Sequence, residues 1–302
     1  AASDVYKRQH YIHDINFWIK NRCGIPAVGY ISDDNYSLRK ISFNPLFWID
    51  RLIMRRRLRK VFAACDIVYT ISENQKEYLR QRFGDKFKVL TKYAEFDKSN
   101  KPAGFRPHAP LRMLYTGNLG SGRYSSLCLI AKALRQVNAH EQRIVFDIYT
   151  STVLSERLRS RLNTAETTLH DAVSFEKVLE LQRRADILVH VEGLSLKERL
   201  DVAHSFSTKI VDYLQQCKPI FVVGKDDCAS IRYFIDNDSG IVAQNYDEIV
   251  RKLTAIAASP LILADYAEKA WTCGEKNHRK SIHQEALKND LLNVVKQTNK
   301  TR

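Results

Sequence analysis

The chain has 302 residues, of which 44% are hydrophobic and 27% are charged, and its formal net charge is +14. These values predict a folded globular protein of one or two domains and exclude a disordered chain. No apolar run approaches the roughly 18 residues of a membrane-spanning helix, and the six cysteines form no C-x-x-C pair. The spacing of the cysteines gives little support to a zinc ribbon or a disulfide framework and favours a reducing cytoplasm. The positive charge indicates anionic partners.

The first nine residues, AASDVYKRQ, resemble a translated sequencing adapter, and we expect residues 1–9 to be non-native. Residues 10–100 predict an amino-terminal domain that lacks its beginning. They contain a short strand at 11–13, a helix through Phe17 and Ile19, and a strand at 26–31. We therefore expect the true amino terminus to be missing.

Residues 39–60 are strongly basic, with eight Lys and Arg residues against the single Asp50 and with apolar residues between them. Such a segment predicts a basic amphipathic helix, for which two interpretations stay open. The helix lies on an anionic membrane surface, or it turns Phe47, Met54, Leu58 and Phe62 towards a core and leaves its arginines in water.

Next come a buried strand at 65–72, a helix from Glu73 to Phe83 that Ser72 caps and Gly84 ends, and a short strand at 88–92. Residues 101–110 are rich in proline and glycine and predict a domain linker.

Residues 111–283 alternate between strand and helix patterns and predict a second domain. The strands are expected at 111–116, 143–149, 173–175, 187–191 and 220–223; the helices are expected at 125–138, 155–161, 176–184 and 208–216, and from 229 and 247 onwards. This alternation predicts an α/β fold with a parallel sheet covered by helices on both faces. The last segment, 284–302, predicts a helix that crosses to the first domain.

A βαβ unit in this domain suggests an anion site. The strand at 187–191 is followed by Glu192, by a helix that starts near Ser207, and by the strand at 220–223. Ligands of parallel sheets bind at the carboxyl ends of the strands, where a helix amino terminus attracts anions. Lys209 adds a full positive charge, so we expect a diphosphate there.

Four motifs follow one another in a specific order and spacing. They are Tyr115-Thr-Gly-Asn-Leu-Gly-Ser-Gly-Arg123, the strand from Ala185-Asp186 to Glu192, Phe206-Ser-Thr-Lys-Ile-Val-Asp-Tyr-Leu214 with Lys218-Pro219 and Gly224, and Ser239-Gly240. Together they resemble the nucleotide-sugar-dependent glycosyltransferases of the GT-B fold, the retaining group that builds bacterial surface polysaccharides. The resemblance implies two Rossmann-like domains that face a cleft, of which the first is incomplete here.

The resemblance assigns the donor site to the second domain. It implies that the glycine-rich turn approaches the donor, that Arg123, Lys209 and the helix start bind the diphosphate, and that the end of the third strand contacts the base. The turn and strand-end residues in question are Gly117, Asn118, Gly120, Gly122, Ser207, Thr208 and Val173.

Two acidic positions depart from the pattern of these enzymes. Asp212 stands where the resemblance implies a ribose-binding glutamate, and His204 replaces its companion acid. Glu192 either takes the place of that acid or serves a helix-cap or loop role.

In the first domain, the resemblance places His13 beside the donor sugar, and the alternative is a structural histidine. Asp33 and Asp34 end the next strand and either orient an acceptor hydroxyl or cap a turn. Asp236-Asn-Asp238 has the letters of a metal motif, but its position favours a turn. We therefore expect no metal and no cofactor besides the nucleotide-sugar co-substrate.

The predicted function is glycosyl transfer from a nucleotide sugar to a saccharide or lipid-linked acceptor, in the cytoplasm or on the inner face of the plasma membrane. A non-catalytic nucleotide-sugar-binding subunit is the alternative. An oxidoreductase is disfavoured because Gly117-x-x-Gly-x-Gly is not the dinucleotide order and no acid ends the next strand. A nucleic-acid partner is not expected, since aromatic residues do not alternate with the basic ones on strands.

Overall fold

The computed structural model describes residues 18, 20, 22–32, 34, 36–97, 99, 101, 102 and 105–300. The contacts divide the chain into two compact units. The first contains the described residues up to Lys92, His204–Phe206 and the residues from Ser281 onwards. The second contains Tyr93–Ala203 and Ser207–Lys280. The predicted strand at 11–13, Phe17, Ile19 and the adapter-like residues lie outside the described part.

The strands are β1 (Val28–Ile31), β2 (Ile67–Thr70), β3 (Phe87–Val89), β4 (Leu111–Thr116), β5 (Ile144–Thr150), β6 (Thr167–Asp171), β7 (Ile187–Val191), β8 (Ile220–Val223) and β9 (Ile241–Ala243). The helices are α1 (Pro45–Ala64), α2 (Glu73–Phe83), α3 (Arg123–Val137), α4 (Glu156–Leu162), α5 (Phe175–Arg184), α6 (Leu196–Val202), α7 (Lys209–Gln215), α8 (Ala229–Asp236), α9 (Tyr246–Ala258), α10 (Ile262–His278) and α11 (Lys280–Lys300).

The first unit has a parallel sheet in the order β1-β2-β3. Side chains of β2 alternate between its faces, as a strand requires. Val68 joins a core with Met54 and Phe62 of α1, whereas Tyr69 packs with Val294 of α11 on the other face. Two helices thus cover the two faces of this sheet.

Helix α1 buries one of its faces in the core of the first unit. Met54, Leu58 and Phe62 are buried, which confirms the core-facing interpretation for these residues. Phe47 is only partly buried, and the guanidinium of Arg51 lies 4.6 Å from its ring centre.

The second unit has a six-stranded parallel sheet in the order β6-β5-β4-β7-β8-β9. Its core combines Met113 and Tyr115 of β4 with Val189 of β7 and with helices α3 and α9. Strands β5 and β6 are added on one side of β4, and strands β7, β8 and β9 are added on its other side. This is the doubly wound arrangement of Rossmann-like domains.

One predicted strand is wrong. Residues 173–175 form a loop and the start of α5, and the third strand is Thr167–Asp171. Thr167 and Leu169 turn inwards from the edge strand, while the hydroxyl of Ser174 accepts a hydrogen bond from the Lys177 amide and caps α5. Strand β9 and helix α6, which are three and seven residues long, were not predicted from the sequence. None of the described helices has the length and apolar character needed to cross a bilayer.

Candidate functional site

The candidate site lies where the strand order of the second sheet reverses, between the neighbouring strands β4 and β7. The glycine-rich turn 117–122 directly follows β4, and Glu192 directly follows β7. In open parallel sheets, this reversal leaves a crevice at the carboxyl ends of the strands, and ligands bind there. The residues of both motifs are therefore brought together by the topology.

Two glycines in the turn have positive φ angles, +152° at Gly117 and +81° at Gly122. A Cβ atom on Gly117 would lie 3.0 Å from the Lys209 ammonium nitrogen, and one on Gly122 would overlap the carboxylate of Glu198. Glu198 caps helix α6 together with Ser195. The turn consequently needs glycine for its backbone and for the space its neighbours occupy.

Arg123 is the first residue of α3, and its guanidinium binds two partners. Its Nε and Nη2 atoms lie 3.1 and 3.0 Å from Glu192 Oε2, and Nη1 donates to Asn118 Oδ1 at 2.9 Å. The Glu192 side chain is 3% exposed and that of Arg123 is 17% exposed. Arg123 thus retains an exposed edge while the carboxylate beneath it is enclosed.

Lys209 lies close to this ion pair. Its ammonium is 3.4 Å from the carbonyl oxygen of Thr116 and 4.3 Å from the ring centre of Tyr115. Burial and the nearby positive charge of Arg123 lower the pKa of Lys209 to about 7, although Glu192 acts in the opposite direction. Arg123 is thus close enough to Lys209 to affect its charge state, and a second anion at this point would stabilise both cations.

The surroundings of Glu192 complete the charge network. Ser230 Oγ donates to Glu192 Oε1 at 3.2 Å, and His190 Nε2 lies 3.5 Å from the same oxygen. His190 is fully buried, and burial with the cations Lys209 and Arg123 lowers its pKa, so it remains neutral at pH 7. Glu192 does not cap the following helix, whose N-cap is Ser195.

Helix α7 contributes to the site mainly through Lys209. The helix has seven residues, and its N-cap Thr208 makes no capping hydrogen bond with its side chain. The amides of Ile210 and Val211 donate to the carbonyls of Ser207 and Thr208, within the first turn. Ser207 and Asp212 are partly buried, and Thr208 is exposed.

The remaining predicted donor residues lie on the same edge of the sheet. Asn118 holds Arg123 and also accepts a hydrogen bond from the Gly120 amide at 3.2 Å. Val173 is 38% exposed. It lies in the loop after β6, which ends at Asp171, and not within a strand at 173–175 as predicted.

Of the predicted acceptor-side residues, Asp34 is described, and it lies in the first unit. Asp34 Oδ1 accepts a hydrogen bond from the Ser37 amide at 2.8 Å, and Oδ2 lies 3.1 Å from the Lys40 ammonium. This arrangement matches the turn-capping interpretation of Asp34. His13 and Asp33 are outside the described residues.

His204, which replaces an acid in the motif, belongs to the first unit by its contacts. Its Nδ1 atom lies 2.8 Å from Asn74 Oδ1, and its ring centre is 4.3 Å from that of Tyr78. The side chain is therefore committed to contacts with α2.

The D-x-D letters at 236–238 form a turn, as predicted. Asp236 ends α8, and Asp238 has a φ of 46° and pairs with Lys269 at 2.9 Å. Within the described ranges, no group of three or more His, Cys, Asp or Glu side chains is arranged to hold a metal ion.

Four contributors to the site were missed from the sequence: Tyr115, His190, Glu198 and Ser230. Each is a common residue type in an ordinary strand or helix pattern. Only the pairing of β4 with β7 and the packing of α6 and α8 bring them to the cations. His190 carried a weak signal, because it interrupts an otherwise apolar buried strand.

Solved structures similar to this chain share its architecture. TarM of S. aureus matches with a TM-score of 0.64 at 13% identity, over 89% of this chain and 50% of TarM. Anabaena Alr3699/HepE, in a complex with UDP and glucose, matches with a TM-score of 0.67 at 10% identity, over 94% and 76% of the two chains. WaaG, a glycosyltransferase involved in lipopolysaccharide biosynthesis, matches with a TM-score of 0.61 at 13% identity, over 87% and 74%.

These matches establish the fold class. The chain has the α/β architecture of GT-B glycosyltransferases, which confirms the fold class predicted from the sequence. It spans about half the length of TarM. No protein-family model matches the sequence, and no curated relative matches it either.

Proposed function

We propose that the protein is a glycosyltransferase that uses a nucleoside-diphosphate sugar as donor. The observation that carries this proposal is the convergence of Arg123 and Lys209 at the strand-order reversal of the second sheet. The similar structures add support, since HepE is seen with UDP and glucose, and the pneumococcal O-GlcNAc transferase GtfA with UDP and GlcNAc.

The charge arrangement suits the departure of a diphosphate. When the bond between sugar and phosphate breaks, negative charge grows on the leaving group, and preorganised cations stabilise that charge. Arg123 offers its exposed edge, and Lys209 becomes fully protonated beside the anion. Metal-independent transfer is part of the proposal, because two side-chain cations would take the place that a divalent ion fills in other phosphoryl sites. A retaining course, in which the leaving phosphate helps to deprotonate the acceptor, is the stereochemical part of the proposal.

The acceptor in this proposal is a saccharide or a lipid-linked saccharide of the cell surface. One face of α1 fits a location beside a bilayer. Leu46, Ile49 and Ile53 are exposed, and Arg56 and Lys60 continue the same row at helical spacing. Apolar residues at one end of the row and cations at the other match the interface of an anionic membrane. The protein would then act in the cytoplasm, at the inner face of the plasma membrane.

Sedimentation with vesicles tests this location. We expect the protein to bind phosphatidylglycerol vesicles more strongly than phosphatidylcholine vesicles, and Ile49→Glu to abolish the difference. Ile282→Glu is the matched control, since Ile49 and Ile282 are 53% and 52% exposed. Equal binding of both vesicle types, or equal loss in both variants, would contradict the location.

A non-catalytic nucleotide-sugar-binding subunit is the second candidate. The observation that favours it is the commitment of His204 to Asn74 and Tyr78, at a position where the related enzymes are expected to have an acid. Such a protein would bind the donor and would neither transfer nor hydrolyse the sugar.

A thermal-shift panel of UDP-, GDP- and ADP-sugars tests the donor site. We expect one nucleotide class to raise the melting temperature, and Arg123→Ala and Lys209→Ala to remove that rise. Release of the nucleoside diphosphate in the presence of acceptor glycans then separates enzyme from binding subunit. If no nucleotide sugar raises the melting temperature, the proposed function is refuted.

A further inference from the structure

Tyr115 is a fully buried residue near the end of β4, and it contacts both branches of the charge network. Nothing in the sequence motif gives it a role beyond the strand. Its hydroxyl contacts Asn118, which binds Arg123, and its ring contacts the ammonium of Lys209.

The hydroxyl acts through the backbone of the glycine-rich turn. Tyr115 Oη donates to the carbonyl oxygen of Asn118 at 2.6 Å. The side chain of Asn118 accepts a hydrogen bond from Arg123 Nη1 at 2.9 Å. The tyrosine hydroxyl therefore fixes the residue that holds the exposed end of the guanidinium.

The ring acts directly on the lysine. The ammonium of Lys209 lies 4.3 Å from the ring centre of Tyr115 and 6.0 Å from that of Tyr213. A cation over an aromatic face is attracted by the ring quadrupole, and more strongly when water is excluded. Gly117 keeps this space open, since an added Cβ would lie 3.0 Å from the ammonium and 3.3 Å from the tyrosine oxygen.

We propose that Tyr115 is a positioning residue that fixes the separation of Arg123 and Lys209, and thereby makes the site selective for a diphosphate over a single phosphate. The inference rests on the proposed function. Two cations at a fixed separation bind two linked phosphoryl groups at once, whereas a single phosphate engages them less completely. Tyr115 touches neither phosphate and acts only through the two cations.

The two contacts of Tyr115 can be removed in two steps. Tyr115→Phe keeps the ring and deletes the hydrogen bond to Asn118, and Tyr115→Leu deletes both. We expect Tyr115→Phe to reduce the preference for pyrophosphate over orthophosphate by about two- to tenfold, as for the loss of one hydrogen bond. Tyr115→Leu should reduce it further. Calorimetric or thermal-shift titration of the whole chain with inorganic pyrophosphate and orthophosphate measures this ratio without any assumption about the base.

Matched controls separate positioning from a general loss of stability. Tyr124→Phe removes a hydroxyl that donates to the Leu158 carbonyl at 2.9 Å, and Tyr246→Leu removes a ring that lies 4.7 Å from the ammonium of Lys132. Both controls should leave the ratio at its wild-type value, even where they lower the melting temperature.

The outcomes are distinct. If the wild-type protein shows no preference for pyrophosphate, the donor site itself fails and the inference fails with it. If the wild-type protein shows the preference and Tyr115→Phe retains it in full, the proposed role of Tyr115 is refuted while the donor site stands. Should Tyr115→Leu fail to fold, the comparison of Tyr115→Phe with Tyr124→Phe still decides.

Discussion

Each of the two units buries a carboxylate between cations, and the two clusters differ in how completely their charges are satisfied. In the first unit, Asp34 and Lys40 have side chains that are 2% and 3% exposed. Arg51 Nη1 donates to the carbonyls of Asp34 and Ser37 at 3.2 and 2.8 Å. In the second unit, Glu192 is equally enclosed, but Arg123 keeps an exposed edge and the pKa of Lys209 is lowered.

This difference indicates that the Asp34 cluster is structural and that the Glu192 cluster is a binding site. Around Asp34, Nη1 and Nη2 of Arg51 donate to backbone carbonyls of Asp34 and Ser37, so this cluster holds the segment before α1 against the helix. Around Glu192, by contrast, the Arg123 side chain stays 17% exposed and glycines keep the adjacent space open. Arg123 and Lys209 are partly buried. A partly buried cation that shares its counter-charge with a second cation favours the binding of an anion.

The largest effect on stability is expected for Asp34→Ala. It removes the carboxylate that pairs with the buried ammonium of Lys40, which costs about 3–5 kcal/mol of unfolding free energy. Hydrogen exchange of the β2 amides and urea denaturation measure the loss, and nucleotide binding at the second unit should be retained.

Glu73→Ala is the control for that variant, because Glu73 pairs with Lys76 on an exposed turn of α2 and is 73% exposed. Its loss should cost less than about 1 kcal/mol. If Asp34→Ala cost no more than Glu73→Ala, the structural interpretation of the first cluster would be wrong.

Gly122→Ala should destabilise the second unit by about 1–3 kcal/mol, because the new methyl group meets Glu198 and the φ of +81° disfavours a side chain. Gly120→Ala is the matched control, since its Cβ would meet only Asn118 Oδ1 at 3.5 Å. Urea denaturation compares the two variants. Equal midpoints would show that the turn yields easily and that its geometry does not depend on Glu198.

The pH dependence of binding gives a smaller effect. Burial and Arg123 lower the pKa of Lys209 to about 7, and a bound diphosphate raises it again. Binding above that pH therefore takes up a proton, and the affinity should fall by up to about tenfold for each pH unit above 7. Calorimetry of UDP binding in buffers of different ionisation enthalpy detects the proton uptake. Lys209→Arg should flatten the profile, because a guanidinium stays protonated over this pH range.

The sequence predicted the second sheet well because its strands are nearly continuous apolar runs, such as β7 and β8. The third strand was predicted in the wrong place. Strand β6 is an edge strand that contains polar residues, so its hydrophobic pattern is weaker than that of residues 173–175 in the loop after it. The placement of Lys209 near the end of β7 was predicted from the βαβ pattern, whereas the placement of Arg123 at the same site came from the family resemblance.

The partners of these cations could not be predicted in the same way. Ser230 lies 38 residues after Glu192 along the chain, and Tyr115 lies 94 residues before Lys209. Their contacts depend on which strands are neighbours and how the helices pack, and neither leaves a periodic signal. The same holds for His204, whose commitment to Asn74 depends on a contact across 130 residues.

The central claim is that Lys209 and Arg123 bind the diphosphate of a nucleotide sugar. Calorimetric titration of UDP into the wild-type protein, Lys209→Ala and Lys132→Ala tests it most directly, since Lys132 is also a lysine over a tyrosine ring in the same unit. We expect Lys209→Ala to weaken UDP binding by about ten- to hundredfold, as for a charge-assisted hydrogen bond, and Lys132→Ala to bind like the wild type. Equal affinity of Lys209→Ala and Lys132→Ala for UDP would contradict the account.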